Sequence, residues 1–309
     1  MATVEASGRE PAEARNLSAS YVLITPAKNE EELLAQTIES VLKQTILPIK
    51  WVIVSDGSTD GTEELVRRYA REHEWIELVA LPERKERHFA GKVHAFNAGY
   101  EKVRHLDYAV IGNLDADVTF EEESHFEFML AEFARTPKLG VAGSGYREGD
   151  VVYPYRFTSL EDVAGACQLF RRECFEEIGG YPALKAGGID VIVVFSAQTK
   201  GWQTRTFAEK MFRHHRKVGS AQHENEYAKL LHQGSKDYIL GSHPGWEVLR
   251  SVYQIKNRPY VIGGMLLLAG YMRAMLSGSE RIIPAELMEV RQKEQMQRLL
   301  KIVRQTLGV

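Results

Sequence analysis

The chain has 309 residues, 44% hydrophobic and 26% charged, an ordinary composition for one large or two small domains. A net charge of −3 gives no global case for nucleic-acid binding. Two cysteines, Cys167 and Cys174, supply neither a disulfide framework nor a metal-binding spacing, and suit buried free thiols in a reducing compartment. The charge is uneven: residues 246–309 hold ten Lys/Arg against five Asp/Glu, a net of +5, which leaves the remainder near −8. The segment 1–20 is rich in Ala, Glu and Ser and has no apolar run, so a disordered lead-in is expected rather than a signal peptide.

In chain order, Tyr21 to Thr25 predicts a strand stopped by Pro26. Leu33, Leu34, Ile38, Val41 and Leu42 then fall at helical spacing and predict a helix over 30–43. Trp51 to Ser55 predicts a second strand, opening into Asp56-Gly-Ser-Thr-Asp-Gly-Thr62, a turn-rich segment with helix N-cap candidates. A helix to about His73, a strand at Ile76 to Leu81, a helix at Ala90 to Val103 and a strand at Tyr108 to Ile111 follow. Strand–helix alternation with short connections predicts a mostly parallel, doubly covered α/β sheet.

The fourth strand leads into Asp115-Ala-Asp117. In extended backbone, positions i and i+2 share a face, so two carboxylates are aimed at one place. That pairing suits a hard divalent ion with phosphate oxygens as further ligands; a solvated acidic turn is the alternative. Ligands of such sheets bind outside the carboxyl ends of the strands, where Pro26 to Glu30, Asp56 to Asp60 and Asp115 to Asp117 all fall. Asp56 is suited to accept hydrogen bonds from a base or ribose, or to cap a turn. Gly-rich dinucleotide and P-loop fingerprints are missing, which argues against NAD binding and ATP hydrolysis.

Pro26-Ala-Lys-Asn-Glu30, Val54-Ser-Asp56-Gly-Ser-Thr-Asp-Gly-Thr62 and Asp115-Ala-Asp117 together resemble the family 2 glycosyltransferases. The resemblance covers roughly Tyr21 to Gly219. It implies the GT-A fold, a Rossmann-like mixed α/β sheet flanked by helices, over 21–219, with 220–309 as a helical C-terminal extension. It also implies a nucleotide-sugar donor, a divalent metal (Mn2+ or Mg2+) and inverting transfer. By matching position, Pro26, Ala27, Asn29, Glu30 and Asp56 would bind the donor, with Asp56 on the nucleoside. Asp115 would lie near ribose and metal, Asp117 would ligate the metal, and Lys92 would stand near the donor. Lys28 occupies a position where many members carry Tyr.

Beyond the acidic pair, a helix is expected over 121–135, a strand at Leu139 to Ser144, a strand at Gly165 to Phe170 and a helix over 171–178. Tyr153, Tyr155 and Phe157 alternate, as a half-buried strand or a sugar-facing edge. Inverting transfer needs a carboxylate to take the acceptor proton. Gly187-Gly-Ile-Asp190, opening a helix over 191–200, supplies Asp190; a capping role is the alternative. Many relatives have Glu-Asp where this chain has Ile-Asp. In Met211 to Lys217, His214 or His215 would be a third metal ligand, and the Arg and Lys suit a diphosphate; spacing does not choose between the histidines.

The segment 221–234 is expected to be helical. Tyr260 to Tyr271 is continuously apolar but too short to span a bilayer. Bracketed by Arg258 and Arg273, it reads as an interfacial segment or a buried core helix. After Pro284, Met296, Leu299, Leu300, Val303 and Leu307 share one helix face with Arg and Lys opposite, a pattern for an anionic leaflet or for packing. The expectation is a cytoplasmic enzyme at the inner face of the plasma membrane, adding single sugars to a carbohydrate or lipid-linked acceptor in surface polysaccharide assembly. A processive Gln-x-x-Arg-Trp motif is missing. The alternatives are a catalytically silent sugar-nucleotide-binding or membrane scaffold, and a sugar nucleotidyltransferase, for which Pro26 to Glu30 lacks a triphosphate loop.

Overall fold

The computed structural model describes residues 20–83, 90–149, 151–152, 159–184, 187–216 and 225–307. The expected lead-in over 1–19 and the aromatic alternation at Tyr153, Tyr155 and Phe157 lie outside them. The first half alternates as the sequence predicts: β1 (Tyr21–Ala27), α1 (Glu31–Leu42), β2 (Lys50–Asp56), α2 (Thr62–Glu72), β3 (Ile76–Leu81), α3 (Ala90–Val103) and β4 (Val110–Leu114). The second half is β5 (Val118–Phe120), α4 (His125–Arg135), β6 (Leu139–Glu148), β7 (Val151–Val152), β8 (Cys167–Arg171), α5 (Arg172–Glu177), α6 (Ile189–Thr199) and β9 (Gln203–His214). Four helices close the chain: α7 (Glu226–Ile239), α8 (Pro244–Gln254), α9 (Ile262–Leu276) and α10 (Ala285–Leu307).

Among the described residues the strands form one mixed sheet in the order β3-β2-β1-β4-β8-β6-β9-β5, with β7 on β6. The strands from β3 to β4 are parallel; β8 then runs antiparallel to β4. Alternate residues of each strand feed opposite faces. Leu23, Trp51 and Ile53 join Leu34, Ile38 and Phe126 on one face. Val22, Ile24, Val52 and Val54 join Phe96, Phe170 and Val193 on the other. Burial on both faces explains why β1, β2 and β4 read as continuous apolar runs.

Several boundaries differ from the sequence expectation, and new strands appear. β1 continues through Pro26, because β1 pairs with β4 only to Ile24 while its pairing with β2 runs on to Ala27; Pro26 thus lies beyond the part of the strand bonded on both sides. β4 starts at Val110, where pairing with Tyr21 starts. The helix expected from Glu121 begins at His125, since Val118–Phe120 is spent on β5. β9 was not foreseen: Gln203–His214 is rich in charge, and its ladder with β6 contains register shifts.

The C-terminal helices pack onto α6. Leu240, Ile283 and Leu287 meet Ile192 and Phe195 there. α7 and α9 cross so closely that a Cβ on Gly234 would lie 1.9 Å from Leu267 O, and one on Gly270 2.0 Å from Leu231 O. The apolar run 260–271 is therefore neither fully buried nor fully interfacial. Gly263, Gly264, Leu267, Gly270 and Tyr271 face inward, whereas Ile262, Met265 and Leu276 are exposed. In α10 the apolar face read as meeting an anionic leaflet or packing is turned outward at Leu300 and Val303. Its inward contacts are apolar at Leu287 near its start and polar further along: Gln292 to Gly241 O, Gln295 to Ser242 and Arg298 to Asp162. No helix among the described residues is long and apolar enough to cross a membrane.

Candidate functional site

The loops that follow β1 and β2 are knitted together. Asn29 sits at φ 56°, a left-handed conformation that Asn tolerates better than most residues. Its Oδ1 accepts from Thr59 N at 2.8 Å, and its own N–H donates to Ser58 Oγ at 3.1 Å. Glu30 N donates to Thr62 Oγ1 at 2.8 Å and Gly61 N to Glu31 Oε2 at 2.9 Å. The Asn29 side chain thus holds this loop pair together, which explains its place in the motif by structure. Gly57 (φ 66°) is required here, since a Cβ would come 2.3 Å from Glu83 Cα. Pro26 and Ala27 end β1 opposite Val54 and Ser55; half-buried Asp56 ends β2 beside them.

At the end of β4 the acidic pair meets β9. Ligand-capable atoms of Asp115, Asp117 and His214 lie within 4.8 Å of one another. The β5–β9 pairing sets Val118 opposite His214, and His215 N donates to Asp117 O at 3.0 Å. His214 Nε2 is 3.4 Å from Asp117 Oδ1. His215 is a correction: it stands outside the cluster, exposed, with Nε2 2.9 Å from Thr119 Oγ1. β9 ends at His214, and the two adjacent rings meet different partners.

Cations ring this cluster. Lys92 Nζ donates to Asp115 Oδ1 at 2.5 Å, and Asn113 Nδ2 to the same oxygen at 3.1 Å. Arg216 pairs with Glu30 Oε1 at 2.6 Å. Burial pushes Glu30 up to about 7 against the pull of Arg216. Burial also opposes charge on Asp117, but His214, with Arg216 and Lys92 behind it, holds the carboxyl below its usual range. Burial likewise opposes charge on His214, yet Asp117 and Asp115 hold it above the ordinary imidazole value. The buried His214 Nδ1 has no hydrogen-bond partner. Two carboxylates and an imidazole converging at one point form a donor set that fits a divalent cation.

Asp190 lies in the first turn of α6, whose N-cap is Gly188 at φ 78°. The cap position is therefore taken by another residue. The Asp190 side chain rests on the 164–166 segment: a Cβ on Gly165 would lie 2.9 Å from Asp190 Cβ. The same segment bonds the acidic end of β4, through Ala166 O to Asp115 N at 2.8 Å and Gly165 O to Asn113 Nδ2 at 2.6 Å. One short loop thus touches both the metal-ligand candidates and the candidate base. Among the site residues, sequence reasoning missed Asn113, whose signal is a polar side chain inside an apolar strand. It also missed the pairing of Arg216 with Glu30, which no local pattern encodes.

The glycosyl transferase family 2 model matches residues 22–182, more than half of the chain. Poly-beta-1,6-N-acetyl-D-glucosamine synthase of Staphylococcus epidermidis is 30% identical over 112 residues, covering 36% of this chain and 25% of that protein. The 4,4'-diaponeurosporenoate glycosyltransferase of Staphylococcus aureus is 28% identical over 139 residues, covering 45% and 32%. The chain thus spans a third or less of the length of these curated relatives. Among solved structures, a mannosyltransferase from Pyrobaculum calidifontis in complex with GDP-Man and Mn2+ aligns with a TM-score of 0.55 at 18% identity, over 92% of this chain and 86% of that one. TarS of S. aureus in complex with UDP-GlcNAc aligns with a TM-score of 0.51 at 13% identity, over 90% and 81%. At such identities these structures share the fold.

Proposed function

The chain belongs to glycosyl transferase family 2, and from that premise we propose that it moves a sugar, with inversion, from a nucleoside diphosphate to a carbohydrate or lipid-linked acceptor in surface polysaccharide assembly. The observation that carries this reading is the convergence of Asp115, Asp117 and His214 at the strand ends, with Asp190 across the 164–166 segment. Asp115, Asp117 and His214 would hold a divalent cation, Mn2+ or Mg2+, which when bound supplies positive charge against the leaving diphosphate. Asp190 accepts the proton of the acceptor hydroxyl as its oxygen bonds to the anomeric carbon and the bond to the diphosphate breaks. Lys92 and Arg216 stand near the cluster and oppose the charge that builds on the leaving group. Asp56 orients the nucleoside. The transferase domain is 21–219 and the helical extension 220–309.

The acceptor class draws support from the relatives, one named for a polysaccharide and one for glycosylating 4,4'-diaponeurosporenoate. A lipid-linked acceptor agrees with the outer surface of α8 and α9. Val252, Ile255, Tyr260, Ile262, Met265 and Leu276 are exposed there beside exposed Lys256, Arg258 and Arg273. No Asp or Glu occurs between positions 248 and 279. This face would rest on an anionic membrane surface, at the inner face of the plasma membrane.

Calorimetry of UDP and GDP with and without Mn2+ tests the donor site. One nucleotide is expected to bind only with the metal, and Asp117→Asn is expected to abolish that dependence. Metal-independent binding in both proteins would exclude the proposed cation site.

A further inference from the structure

β4 and β8 run antiparallel at the centre of the sheet, and their register sets Asn113 opposite Gln168. Directly opposed residues project to the same face. Their neighbours two positions along, Ile111 and Phe170, lie in the core shared with Phe96, Tyr181 and Val193. Asn113 is 1% exposed and Gln168 0%. Two amides in an apolar layer are costly unless their polar atoms are bonded, and an aliphatic pair would fill the same space.

The bonds of the two amides divide between the two halves of the site. Asn113 Nδ2 donates to Asp115 Oδ1 at 3.1 Å and to Gly165 O at 2.6 Å. Both partners are acceptors only, which fixes the amide orientation. It also leaves the buried Asn113 Oδ1 without a partner. Gln168 Nε2 donates to Val163 O at 3.3 Å and Asp190 O at 3.4 Å, while its Oε1 accepts from Tyr181 Oη at 2.7 Å. Asn113 therefore grips the carboxylate of the metal cluster, and Gln168 grips the first turn of the helix that carries Asp190. Between them runs the 163–166 segment, bonded to both.

We propose that Asn113 and Gln168 are a pair of positioning residues that set the separation between Asp115 on the donor side and Asp190 on the acceptor side. The proposal rests on the assignment of Asp190 as base made above. In-line displacement is sensitive to this separation, because a misplacement of about 1 Å can cost roughly 100-fold in rate. The pair touches neither the transferred sugar nor the proton. It acts through the two carboxylates.

The test uses Asn113→Leu and Gln168→Met, which keep side-chain volume and remove the donors. Mn2+ binding is measured by calorimetry, and diphosphate release from UDP-GlcNAc and GDP-mannose by steady-state kinetics. Asn113→Leu is expected to weaken Mn2+ binding about tenfold, and Gln168→Met to lower kcat by roughly thirtyfold with Mn2+ affinity and donor KM within about twofold of wild type. Both are expected to bind one Mn2+ per chain, so loss of folded protein would show as a reduced stoichiometry. The proposal is overturned if Gln168→Met keeps wild-type kcat. It is also overturned if the variants lose Mn2+ stoichiometry and rate together, since the amides would then only pack the core. Should the wild type release diphosphate from neither donor, the fault lies with the donor or the reaction and not with the amide pair. The split in Mn2+ affinity between the variants then decides the positioning claim alone.

Discussion

His214 and His215 are adjacent, yet their chemistry differs because β9 ends at His214 and each ring meets a different partner. His214 is held beside Asp117 at 3.4 Å, while His215 is committed to Thr119. His214→Gln is therefore expected to weaken Mn2+ binding by about tenfold or more, and His215→Gln by less than about twofold; titration calorimetry checks both, and equal losses would refute the assignment. The acidic pair was legible in the sequence because its two carboxylates stand next to the end of an apolar strand, although Asp115 to Asp117 form a turn between β4 and β5 rather than the extended backbone expected. Arg216 bonded to Glu30 was not, since those residues are 186 positions apart and only the closed sheet brings them together. The motif residue Asn29 shows the converse: a matched position whose side chain also holds the fold of its loop.

At the scale of elements, the C-terminal helices are joined by close backbone approach and by buried charge. Gly270→Ala gains about 1 kcal/mol of helix propensity. The added methyl would nevertheless stand 2.0 Å from the Leu231 carbonyl oxygen, so α7 and α9 must part. The expected result is a melting temperature lowered by roughly 5 °C or more, measured by differential scanning calorimetry. Between α7, α8 and α10, Asp237 and Glu247 face Arg250 and Arg291. Burial, with the Asp237 carboxylate, pushes Glu247 up to about 8, above the roughly 4.3 of an unfolded Glu. The native state therefore favours the protonated form. The stabilisation is complete below the unfolded value and is lost as pH rises through about 8. Thermal stability of the wild type should fall between pH 6 and pH 9 more steeply than that of Glu247→Gln; parallel profiles would exclude the assignment. The sequence showed that 260–271 is continuously apolar, with an interfacial segment and a buried helix both open, but not that its glycines are crossing points, because the partner helix lies outside any local window.

For the whole molecule, strand–helix alternation made the parallel half of the sheet legible, along with its binding edge. β5 and β9 were hidden, one by its three-residue length and the other by its charged composition. The outer face of α8 and α9 was legible only as an apolar stretch; the structure divides it into a packed side and an exposed side. Replacing Lys256, Arg258 and Arg273 together with Glu is expected to weaken binding to phosphatidylglycerol vesicles by about 100-fold or more, at ~1 kcal/mol per cation. Vesicle sedimentation at low salt measures this, and indifference of the wild type to such vesicles would remove the membrane contact. The reaction itself belongs to the whole molecule. Its most direct measurement is nucleoside diphosphate release from UDP-, GDP- and dTDP-sugars with Mn2+, Mg2+ or EDTA, for the wild type beside Asp117→Asn and Asp190→Asn. Metal-dependent release from one donor is predicted, lowered about 100-fold or more in each variant. Release that persists in EDTA, or that survives in Asp190→Asn at the wild-type rate, would contradict the account.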